Sequence, residues 1–190
     1  MYPTFVLKLP QWIDDFLPDR EAVFETAEAR MRVAIELARR NVANGTGGPF
    51  GAAIFEIETG RLVAPGVNLV VPSQAAIAHA EMVAIAMAGQ VLGSFDVSGA
   101  AECELVSSTE PCAMCFGAVP WSGVRRLVCG ARDEDARAIG FDEGPKLSNW
   151  KAALEERGIE VVQDVLREEA AAVLRAYQSR GGLIYNGRLG

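Results

Sequence analysis

Two short motifs that stand apart in the chain constrain its fold more strongly than any other feature. The first is His79-Ala-Glu81, and the second is Pro111-Cys112-Ala-Met-Cys115, in which Cys112 follows Glu81 by thirty-one residues. An imidazole and two thiolates are three ligands that Zn²⁺ accepts when its fourth tetrahedral position is left to water. Because these ligands have to reach one ion, the fold must bring the two motifs together.

The spacing inside each motif predicts where its side chains lie. Cys112 and Cys115 are three positions apart, which places them on one face of a helix that begins at Pro111. The positive end of that helix lowers the pKa of a thiol and favours the thiolates that bind metals. His79 and Glu81 are two positions apart and would diverge on a regular helix, so we expect His79 in the very first turn. The combination H-x-E with P-C-x-x-C is a signature of zinc deaminases, in which the glutamate transfers protons and is not a ligand.

Composition indicates the number of domains and excludes some partners. The chain has 190 residues, of which 50% are hydrophobic, so residues 1–190 are predicted to form one domain with one core. Its formal net charge of -7 argues against nucleic-acid partners, which normally meet a basic face. Residues 75–93 carry a single formal charge, but the histidine and the glutamate within them favour a buried helix over a membrane span. No signal peptide is recognisable, and the chain is predicted to be cytoplasmic.

Strand and helix patterns alternate along the chain. Residues 1–20 are punctuated by prolines and predict an N-terminal arm that packs on the body. The predicted strands cover residues 50–57, 62–71, 103–107, 124–130 and 159–163, and Thr59-Gly60 is a hairpin signal between the first two. The predicted helices cover residues 21–44, 75–93, a segment from 111, and 166–180. This alternation predicts a three-layer α/β/α sandwich with the metal site at the strand ends.

At these residues the chain resembles the cytidine deaminase-like superfamily and, within it, the bacterial guanine deaminases that also accept the triazine ammeline. The resemblance runs from about residue 29 to residue 186. Besides the two metal motifs, it is carried by Gly48-Pro-Phe-Gly51, Gly66-Val-Asn68, Glu110 to Val119, Trp121 and Gly140-Phe-Asp-Glu-Gly144. The last segment is specific to the guanine deaminase branch, whereas the zinc motifs alone indicate only the superfamily.

The resemblance implies an activity and assigns its catalytic groups. The protein is expected to hold one Zn²⁺ per chain through His79, Cys112 and Cys115. Its expected reaction is the hydrolytic deamination of guanine to xanthine and ammonia, with ammeline as a possible further substrate. Glu81 is the expected proton shuttle, and Glu143 is a second catalytic or substrate-binding carboxylate.

The resemblance also implies how the substrate is held and how the protein assembles. The expected substrate contacts are Asn68 and Ala80, with Phe50 and Trp121 as walls of the pocket. Asn68 can equally cap a strand or satisfy a turn, and the two aromatic residues can equally belong to the core. A homodimer is expected, with the segment from about residue 140 to residue 190 covering the site.

Other interpretations of the same motifs stay open at this point. A cytosine deaminase, or a deaminase of guanosine or cytidine, would share the zinc site, since pocket shape chooses among bases. A tRNA adenosine deaminase would share the motifs but would need a basic surface for RNA. A non-catalytic module stabilised by zinc would keep the three ligands but has no use for Glu81. Taken alone, Cys-x-x-Cys can be a redox pair and Glu143 a solvated loop residue.

Overall fold

The fold, given by a computed structural model that describes residues 1–17, 19, 21–99 and 101–187, is built around one five-stranded sheet. The strands are β1 (Gly51–Glu56), β2 (Leu62–Val67), β3 (Cys103–Thr109), β4 (Arg126–Ala131) and β5 (Glu160–Val162). The helices are α1 (Trp12–Phe16), α2 (Ala27–Ala43), α3 (Val70–Ser73), α4 (Ala80–Leu92), α5 (Ala113–Ser122), α6 (Asp133–Ala138), α7 (Trp150–Glu155) and α8 (Arg167–Ser179). The strand order is β2-β1-β3-β4-β5.

The sheet is mixed. β1 pairs antiparallel with β2 on one side and with β3 on the other, whereas β3, β4 and β5 run parallel. The β1–β2 pair confirms the predicted hairpin, in which Gly60 has a φ of 72° that glycine adopts without strain. The carboxyl end of β3 leads directly to Cys112. One metal motif therefore emerges at the strand ends, as the alternation predicted.

Helices cover both faces of the sheet. Ala53 and Phe55 of β1 enter one hydrophobic cluster, and the alternate residues Ala52 and Ile54 enter a second one. The first cluster packs against α2 and α8, and the second packs against α4, α5 and α7. Two cores separated by one sheet are the arrangement of a three-layer α/β/α sandwich, so the predicted fold class is confirmed.

The first long helix is shorter than the sequence predicted. α2 begins at Ala27 and not at residue 21, because the Thr26 hydroxyl caps it by accepting a backbone N–H of the first turn. The residues before it turn to the sheet, where Val23 forms a bridge with Arg61. This tertiary pairing overrides the helical spacing read from the sequence.

The second strand and the next long helix also have different bounds from those predicted. β2 ends at Val67, whereas residues 70 and 71, which were predicted to continue it, lie in α3. The Asn68 side chain accepts a hydrogen bond from the Val70 amide at 3.3 Å, which turns the chain out of the strand. The helix predicted from residue 75 begins at Ala80.

The N-terminal segment packs on the body and contains α1. The side chains of Leu7, Leu9, Trp12, Phe16 and Leu17 lie against the first hydrophobic cluster. Pro18 and Arg20 of the predicted arm, and residues 188–190 of the predicted C-terminal cover, lie outside the described residues. Within the described part of the chain, no helix is both long enough and apolar enough to cross a membrane.

Candidate metal centre and active site

The two metal motifs lie at the N-terminal ends of two helices. His79 has an extended backbone (φ -69°, ψ 156°) and immediately precedes α4. Cys112 has a similar conformation (φ -64°, ψ 174°) and precedes α5, whose first turn contains Cys115. Free backbone N–H groups and positive dipole ends of both helices therefore converge on one region. His79 stands at the helix start as predicted, and α5 begins two residues after Pro111.

The three predicted ligands have the geometry of a zinc site. The His79 Nδ1 atom lies 3.5 Å from Cys112 Sγ and 3.6 Å from Cys115 Sγ. Bonds of about 2.3 Å to sulfur and about 2.0 Å to nitrogen, meeting at a tetrahedral angle, separate the two ligand atoms by about 3.5 Å. All three ligand atoms lie within 4.8 Å of one another. The donor set therefore fits zinc without a rearrangement of the backbone.

Hydrogen bonding shifts the pKa values of the Cys112 and Cys115 thiols in opposite directions. A hydrogen bond with Cys115, against the opposing effect of burial and with help from His79, lowers the pKa of Cys112 to about 4. The same sulfur–sulfur hydrogen bond and burial raise the pKa of Cys115. Cys112 is therefore a thiolate at neutral pH, and Cys115 has to release its proton when a metal binds.

Glu81 faces the metal cluster without being one of its predicted ligands. Its carboxylate is 7% exposed, with Oε1 3.3 Å from the Ser107 hydroxyl and Oε2 3.4 Å from the Cys115 thiol, and both groups donate hydrogen bonds to it. Burial, and then the charge of the Cys112 thiolate, raise the pKa of Glu81. A carboxylate whose pKa is raised is a stronger base than an ordinary one and therefore a better acceptor of a proton.

Glu143 approaches the same space from the loop after α6. Burial, followed by the charges of Cys112 and Glu81, raises the pKa of Glu143 to about 8. Its backbone carbonyl accepts a hydrogen bond from the Ala113 amide at 2.9 Å, which ties this loop to the start of α5. The loop is also fastened by Arg137, which donates to the Gly144 carbonyl at 2.9 Å. The second carboxylate is therefore held in place beside the predicted metal site.

These groups open into one cavity of about 410 Å³. The sequence-predicted residues that line it are His79, Glu81, Cys112, Glu143, Asn68 and Phe50. Phe50 packs edge to face on Phe141 with ring centroids 4.9 Å apart, which gives the cavity an apolar wall. Asn68 is buried, and its side-chain oxygen accepts a hydrogen bond. Its side-chain nitrogen has no hydrogen-bond acceptor among the residues that the structure describes. The cavity thus combines an apolar wall with polar groups.

Two predicted substrate contacts do not line the cavity. Trp121 is 84% exposed and borders a different surface depression. It lies nine residues after Cys112, and a helix rises about 1.5 Å per residue, so it sits at the opposite end of α5 from the metal motif. Ala80 is fully buried, and its methyl group packs in the second hydrophobic cluster. Within the chain, Trp121 is therefore not a wall of the pocket, and the Ala80 side chain does not face it.

Sequence reasoning assigned no role to Glu110, which also lines the cavity. This buried carboxylate accepts hydrogen bonds from Lys146 at 3.3 Å, from Gln163 at 2.6 Å and from the Asp133 amide at 3.3 Å. A carboxylate directly before Pro111 was a visible signal of a special environment. Its partners come from later parts of the chain, so the sequence could not identify them.

Tyr185 is a second residue of the cavity that the sequence did not identify. Its hydroxyl oxygen is buried and has no hydrogen-bond partner among the described residues, and its ring packs on Phe141 with centroids 5.1 Å apart. Asn186 donates to the Gly140 carbonyl and accepts the Asp142 amide, which ties the C-terminal segment to the Glu143 loop. Of the predicted cover, the pieces around residues 141–143 and 185–187 reach the cavity, whereas β5 and α8 complete the sandwich.

Comparison with known proteins identifies the family. Residues 24–131, more than half of the chain, match the cytidine and deoxycytidylate deaminase zinc-binding region, and this span contains all three predicted ligands. The chain belongs to this family. It is accordingly a zinc-dependent aminohydrolase, and His79, Cys112 and Cys115 lie close enough together that they could hold the ion.

Individual relatives point to more than one substrate class. A guanine deaminase from Bacillus subtilis is 38% identical over 141 residues, which cover 74% of this chain and 87% of the relative. A tRNA-specific adenosine deaminase from the same organism is 35% identical over 150 residues, which cover 79% and 87%. The solved structure of a guanine deaminase from Nitrosomonas europaea is 47% identical, covers 94% of this chain and 98% of its own, and superposes with a TM-score of 0.89.

Proposed function

We propose that this protein converts guanine to xanthine and ammonia. The observation that carries the proposal is one cavity of about 410 Å³ in which the zinc site and two buried carboxylates, Glu81 and Glu143, face a common space. A cavity of this size has room for a purine base. The similarity to guanine deaminases, one of them over nearly the whole chain, supports the choice of guanine.

The proposed chemistry follows from the positions of the acidic groups. When bound, the zinc ion supplies the nucleophile, because it lowers the pKa of a water molecule. Glu81 accepts one proton of the water and passes it to a ring nitrogen of guanine as the oxygen bonds to C2. The second proton then moves from the new hydroxyl group on C2 to the amine, through Glu81 or Glu143, so that the C2–N bond breaks, ammonia leaves and the C2 carbonyl of xanthine forms. The raised pKa of Glu81 suits its role as the first proton acceptor, and the Ser107 hydroxyl holds one carboxylate oxygen in place.

Glu143 is proposed to act in its protonated form. Because burial raises its pKa to about 8, it carries a proton at neutral pH and can donate it to the substrate. If Glu143 transfers the second proton, Glu143→Gln lowers kcat strongly, and if it only binds the purine edge, the variant raises KM with little change in kcat. Steady-state kinetics with guanine decide between the two roles.

The base itself is proposed to lie between Asn68 and the aromatic wall. The free amide nitrogen of Asn68 can donate to a purine acceptor, and the ring of Phe50 can pack against the base. The Tyr185 hydroxyl, which has no hydrogen-bond partner in the described part of the chain, is a further donor or acceptor in the same cavity, since a buried hydroxyl is normally satisfied. Ala80 remains a proposed contact only through its backbone.

The proposal is tested by ammonia release from a panel of amino-heterocycles. The zinc-loaded protein is assayed with guanine, guanosine, ammeline, adenine, cytosine and cytidine, and the Glu81→Ala variant serves as the blank. Guanine turnover that is absent from the blank supports the proposal. Turnover of cytosine, cytidine or guanosine in place of guanine would assign the same chemistry to a different substrate.

A tRNA adenosine deaminase is the second candidate, because the relative from Bacillus subtilis is 35% identical. The net charge of -7 disfavours it, since contacts with RNA phosphates need clustered basic side chains. Incubation with tRNA followed by a search for inosine distinguishes the candidates. Inosine formation at a rate above guanine turnover would favour the RNA substrate.

Assembly, location and pathway are proposed on separate grounds. We propose a homodimer, because Trp121 and Leu147 expose apolar surface around one depression beside α5, and burial of such a patch stabilises association. Sedimentation of the protein and of Trp121→Glu tests this proposal.

Four free cysteines are compatible with the proposed cytoplasmic location. A role in purine metabolism is proposed from the proposed substrate, guanine. Segments from α1 to α8 contribute to the packing around one sheet, which supports one deaminase domain over residues 1–190.

A further inference from the structure

A row of hydrogen-bonded side chains links the first helix of the chain to the proposed base site. The Trp12 indole N–H in α1 donates to the Thr46 hydroxyl at 3.0 Å. The Thr46 hydroxyl donates to Asn41 Oδ1 at 2.7 Å. The Asn41 amide nitrogen then donates to the backbone carbonyls of Gly48, at 2.9 Å, and Asn68, at 2.8 Å. The row thus ends on the backbone of a residue that lines the cavity.

Each bond in this row has only one possible direction. An indole nitrogen can donate but cannot accept, so the Thr46 hydroxyl must accept from Trp12 and turn its own hydrogen elsewhere. The nearest acceptor for that hydrogen is Asn41 Oδ1 at 2.7 Å, and the Asn41 backbone carbonyl oxygen is a second acceptor at 3.2 Å. The two backbone carbonyls can only accept, so they require the Asn41 nitrogen to face them and its oxygen to face Thr46. The Thr46 hydroxyl, which accepts from Trp12, stabilises this orientation by donating to that oxygen.

Asn41 is completely buried, and its side chain adds two hydrogen bonds between two loops that the backbone also links, since the Asn68 backbone amide donates to the Phe50 carbonyl at 3.1 Å. One loop connects α2 to β1 and carries Gly48, and the other follows β2 and carries Asn68. The contact is tight, because a Cβ atom at Gly47 would lie 1.9 Å from the Asn68 carbonyl oxygen and 2.7 Å from the Asn41 amide nitrogen. The two loops therefore approach each other so closely that only glycine fits between them.

The same loops shape the proposed base site. Asn68 offers its side-chain amide to the cavity, and Phe50, which follows the Gly48 loop, forms the apolar wall. The Tyr185 hydroxyl lies against Gly48, where an added Cβ would be 2.3 Å away. A shift of either loop would therefore move binding groups relative to the zinc site, and displacements of about 1 Å are enough to weaken recognition strongly.

We propose that Asn41 is a positioning residue for the base site and that Thr46, with the support of Trp12, stabilises its orientation. The N-terminal helix α1 is then part of the support of the active site. This inference rests on the proposed function, in which Asn68 contacts the base. Trp12, Thr46 and Asn41 lie outside the cavity, and they are proposed to affect substrate affinity without taking part in the chemistry.

Matched variants of Thr46 test the inference. Thr46→Val removes the hydroxyl at nearly constant volume, whereas Thr46→Ser keeps it and serves as the control. Loss of one hydrogen bond corresponds to a change of about 2-fold to 10-fold in an equilibrium constant. For zinc-loaded Thr46→Val and for Trp12→Phe, we expect the KM for guanine to rise by that factor while kcat changes by less than about 2-fold. Thr46→Ser is expected to keep the wild-type KM.

A double-mutant cycle separates positioning from a general loss of stability. In an Asn68→Ala background, the side chain that Asn41 positions is gone, so Trp12→Phe is expected to raise KM less than it does in the wild-type protein. Equal KM effects in both backgrounds would overturn the proposal. A lower melting temperature for Trp12→Phe with an unchanged KM would also overturn it, because the row would then serve folding alone.

A spectroscopic measurement keeps this test separate from the test of the proposed function. The chain has three tryptophans, and the indole resonance that Trp12→Phe removes from an ¹⁵N spectrum is the one from Trp12. In zinc-loaded Glu81→Gln, guanine is expected to bind without turnover and to slow hydrogen exchange of this indole N–H, and Thr46→Val is expected to abolish that effect. Guanine that binds without changing the exchange rate would refute the positioning role. If the wild-type protein neither binds nor deaminates guanine, the proposed function fails, and the cycle and the exchange measurement are repeated with the panel base that is turned over.

Discussion

Lys146→Met removes the only cation that is buried directly behind the metal motif in the described structure. The Lys146 ammonium group lies 3.3 Å from a Glu110 oxygen, 3.0 Å from an Asp133 oxygen and 3.2 Å from the Pro111 carbonyl oxygen. Its side chain is 7% exposed, and that of Glu110 is 6% exposed. Methionine fills a similar volume but cannot donate, so the variant leaves a buried carboxylate without its cation.

The expected loss of unfolding free energy depends on the partners that Glu110 and Asp133 retain in the variant. Removing one partner of a buried ion pair costs about 3–5 kcal/mol of unfolding free energy. Glu110 retains hydrogen bonds from Gln163 and from a backbone amide, and Asp133 retains Arg137, so we expect the lower end, about 3 kcal/mol. For a chain of this length, that loss corresponds to a melting temperature lower by about 6–12 °C.

Urea unfolding of the zinc-loaded protein, followed by circular dichroism, measures the effect. Lys151→Met is the matched control, since Lys151 pairs with Glu155 at 3.8 Å on the surface of α7 and such pairs contribute at most about 1 kcal/mol. Adding Glu110→Gln to Lys146→Met should recover part of the loss, because the orphaned charge disappears. If Lys146→Met and Lys151→Met are equally stable, the buried ion pair has no special role and the reasoning is refuted.

Three further predictions concern packing, acid stability and metal binding. Gly66→Ala is expected to lower the unfolding free energy by about 1–3 kcal/mol in urea titrations, because the new Cβ would lie 2.3 Å from the Ala80 carbonyl oxygen where α4 packs on β2. A hydrogen bond from an arginine at the start of α8 lowers the pKa of Asp135, so this carboxylate stabilises the fold above about pH 4 and loses that effect as pH falls through its folded pKa. Asp135→Asn should therefore lose less stability than the wild type between about pH 6 and about pH 3.5, and equal losses would contradict the assignment. Cys112→Ser should hold far less than one zinc per chain after dialysis, as measured by atomic emission, whereas Cys103→Ser should retain it, because the Cys103 thiol is not part of the cluster.

The sequence predicted the metal site well because its chemistry is local. Two ligands share one helical turn, and the third stands two residues from the glutamate, so the spacing predicted that both motifs lie at helix starts, although α4 and α5 begin a few residues later than the predicted helices. The sandwich was predictable for a related reason, since alternating strands and helices leave few arrangements that bury both faces of a sheet. In these places local preference and tertiary packing agree.

The failures concern residues whose positions depend on distant partners. Val70 belongs to a run that predicted a strand, but the Asn68 side chain binds its amide and starts a turn. Trp121 resembled a pocket residue because it is aromatic and close in sequence to the second metal motif, yet the length of α5 carries it away from the cavity. Tyr185 reaches the cavity only because Asn186 is bound to the loop of Glu143. Such long-range contacts leave no periodic pattern in the sequence.

The most direct test of the proposed reaction is the identity of the product formed from guanine in water enriched in ¹⁸O. The zinc-loaded wild-type protein is incubated with guanine, and mass spectrometry is combined with an ammonia assay. Hydrolytic deamination predicts xanthine that carries one heavy oxygen and one ammonia per xanthine, with no product from Glu81→Ala. Guanine that is bound but recovered unchanged, or xanthine that forms equally well with Glu81→Ala, would contradict it.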